Sequence, residues 1–256
     1  DSSVIQIKSS LKERIEFRSK HLEAFQNKSL SKKFIEMINS FKDQDIQEAV
    51  AINYHRVLAY KDEYEVARLH LGTYKKVSEK FENVKKIKFH LAPPIISKEG
   101  KDGRARKIEF GWYMIYIFKF ISLFKWLRGS RFDLFSYSKD RRLDLQLIDQ
   151  YEHDLRLIKH LDLKKDRELI LELLNLPSSI KGFGIVKRKN FKTASIQRKN
   201  LLEKLKNEHN KLHTAIEKML NDNHTDENKL SVMKKHKLWL KDKITTIETD
   251  QEYQNT

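Results

Sequence analysis

The sequence predicts a mainly α fold with a small β-sheet (α+β), ending in an antiparallel helical hairpin. Three observations carry this expectation. Apolar residues recur at three-four spacing along most of the chain. Glycine and proline are scarce, at 7 and 3, which argues against an all-β sandwich built on turns. Short stretches between residues 65 and 110 switch to an alternating pattern.

The elements follow in order. Leu11, Ile15, Leu22 and Phe25 mark one helix face, and Phe34, Ile35, Ile38 and Phe41 a second. Asp43 or Asp45 is placed to cap a third helix, whose face carries Ile46, Val50, Val57 and Leu58. At Glu65 the period shifts. EVARLHL, with Val66, Leu69 and Leu71, reads as an extended run closed by Gly72, and YKKVSEKFENV as a helical insert after it. In IKFHLAPP, Ile87, Phe89 and Leu91 alternate with Lys88 and His90, and Pro93-Pro94 ends the strand. KEGKDGRA, residues 98–105, has the composition of an exposed turn, and KIEF supplies a further short strand. The expected sheet is therefore built from about 65–71 and 87–92.

Residues 112–128 read as an aromatic helix, with Gly129 as its C-cap. Trp112, Tyr116, Phe120 and Phe124 are expected to be buried against a long helix from about Ser138 to Leu161. That helix presents Leu143, Leu147, Ile148, Tyr151, Leu155 and Ile158. A shorter helix stops at Pro177, and KGFG at 181–184 reads as a turn or a close backbone approach. The first domain spans 1–200. In 201–256, Leu201, Leu205, Leu212, Ala215 and Met219, then Leu230, Met233, Leu240, Ile244 and Ile247, flank NDNHTD as a helical hairpin extension.

Composition bounds the function. The chain has 256 residues, 39% of them apolar, enough for a core. The absence of Cys excludes disulfides, thiol chemistry and Cys-ligated metal centres within this chain. The N-terminus lacks a secretory apolar block, and it opens on Asp rather than Met, as expected of a segment of a longer protein. The most apolar stretch, Phe110 to Leu127, is interrupted by Lys119 and Lys125, so no transmembrane span is expected. A cytoplasmic location follows as an expectation.

The net charge of +16 is concentrated. Residues 71–200 carry 30 basic and 15 acidic side chains, while both flanks are close to neutral. Such a field favours anionic partners. Lys75, Lys76, Lys85 and Lys86 are the first candidates for such contacts; Arg128, Arg141 and Arg142 are further candidates, with internal ion pairing that supports the fold as their alternative role. Eleven aromatic residues between Phe110 and Tyr137 invite base stacking. Their core-like spacing and the lack of a nucleic-acid recognition motif rank that partner lower.

The remaining motifs are weak. There is no GxxxxGK[ST] loop, and Gly182-Phe183-Gly184 is followed by Lys187 where a dinucleotide fingerprint has its third glycine. His209 and His213 share metal-ligand spacing, but Asn210 stands where HExxH needs its Glu. Asp149 and His153 repeat the spacing and read as a solvated pair. His70 and His90 fall in the expected strands, as backbone hydrogen-bonding groups. Arg141-Arg142 after Asp140 reads as an ion-pair cluster.

Five ordered strings carry more information: YKDEYEVARL at 60–69, FHLAPP at 89–94, RKIEFGWYM at 106–114, LRGSRFDLFSYSKDRRLD at 127–144 and IKGFGIVK at 180–187. Together they resemble the C-terminal segment of fused indolepyruvate:ferredoxin oxidoreductases, over roughly residues 10–200. Tyr64, Glu65, Arg68, His90, Pro93, Pro94, Gly182 and Gly184 are the motif positions within them. The family pattern often has His where this chain has Ile185. The resemblance implies a parent enzyme that uses thiamine diphosphate, magnesium and iron–sulfur clusters to convert aryl 2-oxoacids to acyl-CoA thioesters, passing electrons to ferredoxin. This chain has neither a thiamine diphosphate signature nor a cysteine. It is therefore expected to hold no cofactor and no catalytic residue. The expectation is an accessory domain partnered by the catalytic domains or subunits, with ferredoxin a further candidate. The alternative is a basic helical adaptor for nucleic acid or an anionic surface.

Overall fold

The computed structural model describes residues 10–81, 86–92, 106–133, 135–159, 166–221, 230–235, 237–238 and 241. Helix dominates, with one two-stranded sheet. The chain divides into two compact units.

The first unit comprises Asp1–Glu152 and Pro177–Asn190. It opens on α1 (Leu11–Phe25), α2 (Lys28–Asn39), α3 (Gln44–Leu58) and α4 (Glu63–Lys80). Each starts on a polar side chain that satisfies an otherwise orphaned backbone N–H. The Ser10 hydroxyl accepts from Glu13 N at 3.2 Å, and the Glu13 carboxylate accepts from Ser10 N at 2.8 Å, a capping box. Asn27 accepts from Leu30 N, Asp43 from Asp45 N and Ile46 N, and Asp62 from Glu65 N. The expected faces of the first three helices point inward. Leu22, Phe25, Phe34, Ile38, Ile46 and Val50 are all buried. Tyr54 lies between Phe34 and Tyr151, stacked 6.0 Å from each, and its hydroxyl donates to Glu152 at 2.8 Å.

The extended run expected at 65–71 is the first half of α4. Tyr64, Ala67, Leu71 and Tyr74 fall at helical spacing and face the unit's interior, Tyr64 and Ala67 fully and the other two in part. Gly72 ends nothing. It sits mid-helix where nothing approaches within 4 Å of a Cβ position. His70 correspondingly lies in a helix and not in a strand. Its ring stacks on Phe118 at 5.0 Å and meets the edge of Phe89 at 5.6 Å. The sheet is formed instead by β1 (Phe89–Leu91) and β2 (Ile108–Phe110), antiparallel, with Phe89 opposite Phe110 and His90 opposite Glu109. The strands expected at IKFHL and KIEF are therefore the ones present. Pro93, Pro94 and the turn at 98–105 lie outside the described residues.

The aromatic stretch forms α5 (Met114–Leu123) and a short 3-10 turn, Lys125–Leu127. Its orientation differs from expectation. Met114, Ile115 and Phe118 face inward onto Ala67 of α4 and Phe89 of β1. Trp112, Tyr116 and Phe120 point outward at 64%, 63% and 64% exposure, and Phe124 is only half-buried. The physical reason is that α5, apart from Lys119 and Ser122, is apolar, so several faces compete and the one that fits against α4 and β1 wins.

Two long helices belong partly to each unit: α6 (Lys139–Ile158) and α8 (Gly184–Asn221). The second unit, His153–Leu176 and Phe191–Thr256, also contains α7 (Arg167–Asn175). Its core is aliphatic: Leu155, Ile158, Ile170, Leu173, Leu174, Leu201, Leu202 and Ile216. Arg198 grips Asp154 with Nε at 3.0 Å and Nη2 at 2.7 Å, beside the buried ring of His153. The boundary expected at 200/201 falls inside α8, which runs unbroken for 38 residues. That helix ends at Asn221, where NDNHTD begins, and residues 230–235 are again helical. The connecting segment and Leu240, Ile244 and Ile247 lie outside the described residues. Glycine matters before α8: Gly182 has φ +94° and Gly184 φ +55°. A Cβ on Gly182 would meet Val186 Cγ1 at 2.8 Å, so this turn needs glycine.

Candidate functional site

The densest polar grouping of the first unit is buried at the N-terminus of α4. Asp62 is its hub. Besides capping α4 with Oδ1, it accepts two hydrogen bonds from one guanidinium: Arg128 Nε to Oδ2 at 2.5 Å and Nη2 to Oδ1 at 2.9 Å. This fork is the strongest geometry available to an Arg–carboxylate pair. The third Arg128 nitrogen, Nη1, donates to the Phe25 carbonyl at 2.5 Å, and its plane lies 3.6 Å over the Phe25 ring. Arg141 approaches from the first turn of α6. Its Nη2 reaches Asp62 Oδ2 at 3.1 Å and Glu63 Oε2 at 3.2 Å. Its Cζ sits 4.5 Å over the Tyr60 ring. Arg141 Nε and Nη1 are buried without a hydrogen-bond partner among the described residues.

The acidic side continues through Asp133, fully buried, which accepts from the Tyr64 hydroxyl at 3.1 Å and from the backbone of Gly129 and Phe135. The α8 N-terminus is tied to the same region: Lys187 pairs with Asp144 and Arg188 with Asp140. Burial pushes the Glu63 and Asp144 carboxyls upward, the latter against the pull of Lys187. Burial, then Asp133, also raises the Tyr64 phenol. One step along α4, Glu65 takes Arg68 in a second fork at 2.8 and 2.6 Å. His21 Nε2 lies 3.6 Å from Glu65, and His21 Nδ1 is 3.0 Å from His55 Nε2.

The His pair gives a measurable pH dependence. Burial first, then His21 and Arg18, lowers the His55 pKa from 6.5 to about 4. Between those values the unfolded chain binds the proton that folded His55 refuses. Stability is therefore complete above about pH 6.5 and falls as pH drops towards 4. The loss is at most on the order of 3 kcal/mol, at 1.36 kcal/mol per unit. Denaturant melts at pH 7 and 4.5 are expected to show a smaller difference for H55Q than for the parent. An equal difference would remove His55 from the account.

The expected site residues separate into three groups. Tyr64, Glu65 and Arg68 belong to the buried network, as do Arg128 and Arg141. Candidates for partner contacts with internal ion pairing as the alternative, these two arginines are 5% and 3% exposed and serve internal carboxylates. Lys75, Lys76, Lys86 and Arg142 are exposed, with Lys75 within 3.9 Å of Glu79; Lys85 lies outside the described residues. His90 is exposed on β1, and Gly182 and Gly184 shape the turn into α8. The side chains of His209 and His213 also lie outside the described residues. Among the described residues, no three His, Asp or Glu side chains converge as metal ligands. No helix among them is long and apolar enough to cross a membrane. Sequence reading missed Asp62 as a hub, although Asp62 followed by Glu65 is a recognisable helix-start signature.

These features define a helical domain whose centre is a charge-compensated structural network. A family model described as a family of unknown function, DUF6537, matches residues 11–200. The chain belongs to that family. Residues 202–248 are in turn similar to a second model, a protein of unknown function, DUF465. No curated protein and no solved structure matches the chain.

Proposed function

We propose that this chain is a non-catalytic accessory domain of an indolepyruvate-type 2-oxoacid:ferredoxin oxidoreductase, working as a structural or docking element for the catalytic portion. The observation that carries this reading is where the resembling strings fall. YKDEYEVARL supplies Asp62, Glu63, Tyr64, Glu65 and Arg68. LRGSRFDLFSYSKDRRLD supplies Arg128, Asp133, Arg141 and Asp144, and IKGFGIVK supplies Lys187 and the glycine turn. Residues far apart in sequence meet in one buried network, so what these strings encode is a way of folding. The parent's cofactors belong with the catalytic portion. Without Cys this chain offers no thiolate to an iron–sulfur cluster. Its buried Asp62, Asp144 and Asp154 are each engaged by Arg or Lys instead of standing open to magnesium.

Co-elution on size exclusion tests the reading, using the full chain and the catalytic polypeptides of the same source. The complex is expected to form and to weaken as salt rises, because the basic charge is screened. Separate elution at low salt would reject it. So would preferential binding of duplex DNA, which favours the basic-adaptor alternative. The chain alone is expected not to reduce a viologen dye with indolepyruvate and CoA; turnover would overturn the non-catalytic assignment.

A further inference from the structure

The outer face of α5 has no task in the folded unit. Trp112, Tyr116, Phe120, Leu123 and Trp126 stand 63–71% exposed within fifteen residues. Trp112 and Tyr116 meet edge-on at 5.9 Å, and Phe120 and the half-buried Phe124 are tilted at 4.9 Å, so two ring pairs follow one another along the ridge. Single exposed apolar residues need no explanation, but a contiguous aromatic ridge marks a contact surface. Tyr and Trp are also the residues that dominate binding energy at protein interfaces.

Charge narrows the occupant. Residues 110–132 contain no Asp or Glu, yet include Lys119, Lys125, Arg128 and Arg131. Arg128 is turned inward to Asp62, and Lys125 Nζ donates to the Ala24 carbonyl at 2.8 Å. Lys119 is different. It is exposed, and helical spacing puts it on one strip with Trp112, Tyr116 and Leu123. Its Nζ lies 5.8 Å over the Tyr116 ring, and it forms no ion pair among the described residues. Once the ridge is covered, the Lys119 ammonium in its middle needs an anionic acceptor to offset its desolvation. A second copy presenting the same ridge would bring a further ammonium and no carboxylate, since residues 110–132 have no Asp or Glu. A protein surface with a carboxylate facing Lys119 satisfies both the rings and the charge.

We infer that the α5 ridge docks a protein surface that is apolar at its centre and carries a carboxylate opposite Lys119. Resting on the function proposed above, that surface belongs to the catalytic portion of the oxidoreductase. The exposed Lys75 and Lys76 on α4 act at longer range, by steering.

The test measures binding kinetics between the full chain and the purified catalytic polypeptides. F120S/L123S and K119E change exposed residues, so circular dichroism and melting should match the parent. F120S/L123S is expected to raise the dissociation rate about 30-fold or more, with K119E weakening binding at least tenfold. K75E/K76E is expected to slow association and leave dissociation nearly unchanged. If the parent chain binds and both ridge variants bind within twofold of it, the ridge assignment is wrong while the accessory-domain reading stands. If the parent chain does not bind at all, both fall. Two controls use the chain alone. Co-sedimentation with phosphatidylcholine/phosphatidylserine vesicles, or concentration-dependent dimerisation, that F120S/L123S abolishes would overturn the protein-partner assignment in favour of lipid or a second copy.

Discussion

Asp62→Ala is expected to destabilise the first unit by about 3–5 kcal/mol. Removing one partner of a buried ion pair leaves the others charged and unsolvated. Here Asp62 serves two guanidiniums, both almost fully buried. It also caps α4, a contribution worth about 1 kcal/mol. The two roles are separable. Asp62→Asn keeps a good capping side chain but removes the charge, so it should lose most of the stability that alanine loses. Asp62→Ala combined with Arg128→Met should recover part of it, because one stranded cation is replaced by an apolar side chain between Phe25 and Tyr64. Urea melts of these four proteins and of R128M alone provide the comparison. Equal stability of D62N and the parent would show that the charge is unimportant, and additive losses in the double variant would show that the two residues are uncoupled.

Local signals make much of the first sixty residues legible in the sequence. Of the two candidates Asp43 and Asp45, Asp43 caps α3, and Leu22, Phe34, Ile38 and Val50 lie where their spacing puts them, because such helices are encoded by neighbours three and four apart. At 65–71 the expected strand is a helix, because the Asp62-to-Glu65 start signal prevails over the pattern of Val66, Leu69 and Gly72. Three apolar residues in a short run fit either period, and a mid-helix glycine resembles a stop. The buried network was out of reach for another reason. Arg128 and Asp62 are 66 residues apart, and nothing local distinguishes an arginine that will be buried from one that will meet solvent. Basic composition therefore leaves both a partner-facing and an internal ion-pairing role open for Arg128 and Arg141, and the fold selects the internal one. The basic side chains left for a partner are accordingly fewer than the count of 30 between residues 71 and 200 suggests.

The two sides of α5 are expected to respond oppositely to truncation. Phe118 is 3% exposed. It stacks on His70 and meets Phe89 edge-on at 5.3 Å, beside Ala67, Met114 and Ile115. Burying such a ring contributes on the order of 2 kcal/mol by transfer alone. Deletion adds the cavity that remains, because the α4 backbone and the two-stranded sheet cannot both move in to fill it. Phe118→Ala should therefore cost about 3–5 kcal/mol. Phe120 lies two residues away and points outward, so Phe120→Ala should stay within about 0.5 kcal/mol of the parent. Chemical denaturation of both variants decides between the orientations. A large loss at Phe120 with a small one at Phe118 would turn α5 around, place the aromatic ridge in the core, and remove the docking surface. The predicted ranking instead leaves the ridge rings contributing little to the stability of the isolated chain. Their energetic effect would then appear on binding, which is why the same Phe120 should be nearly silent in a melt and strongly felt in a dissociation rate.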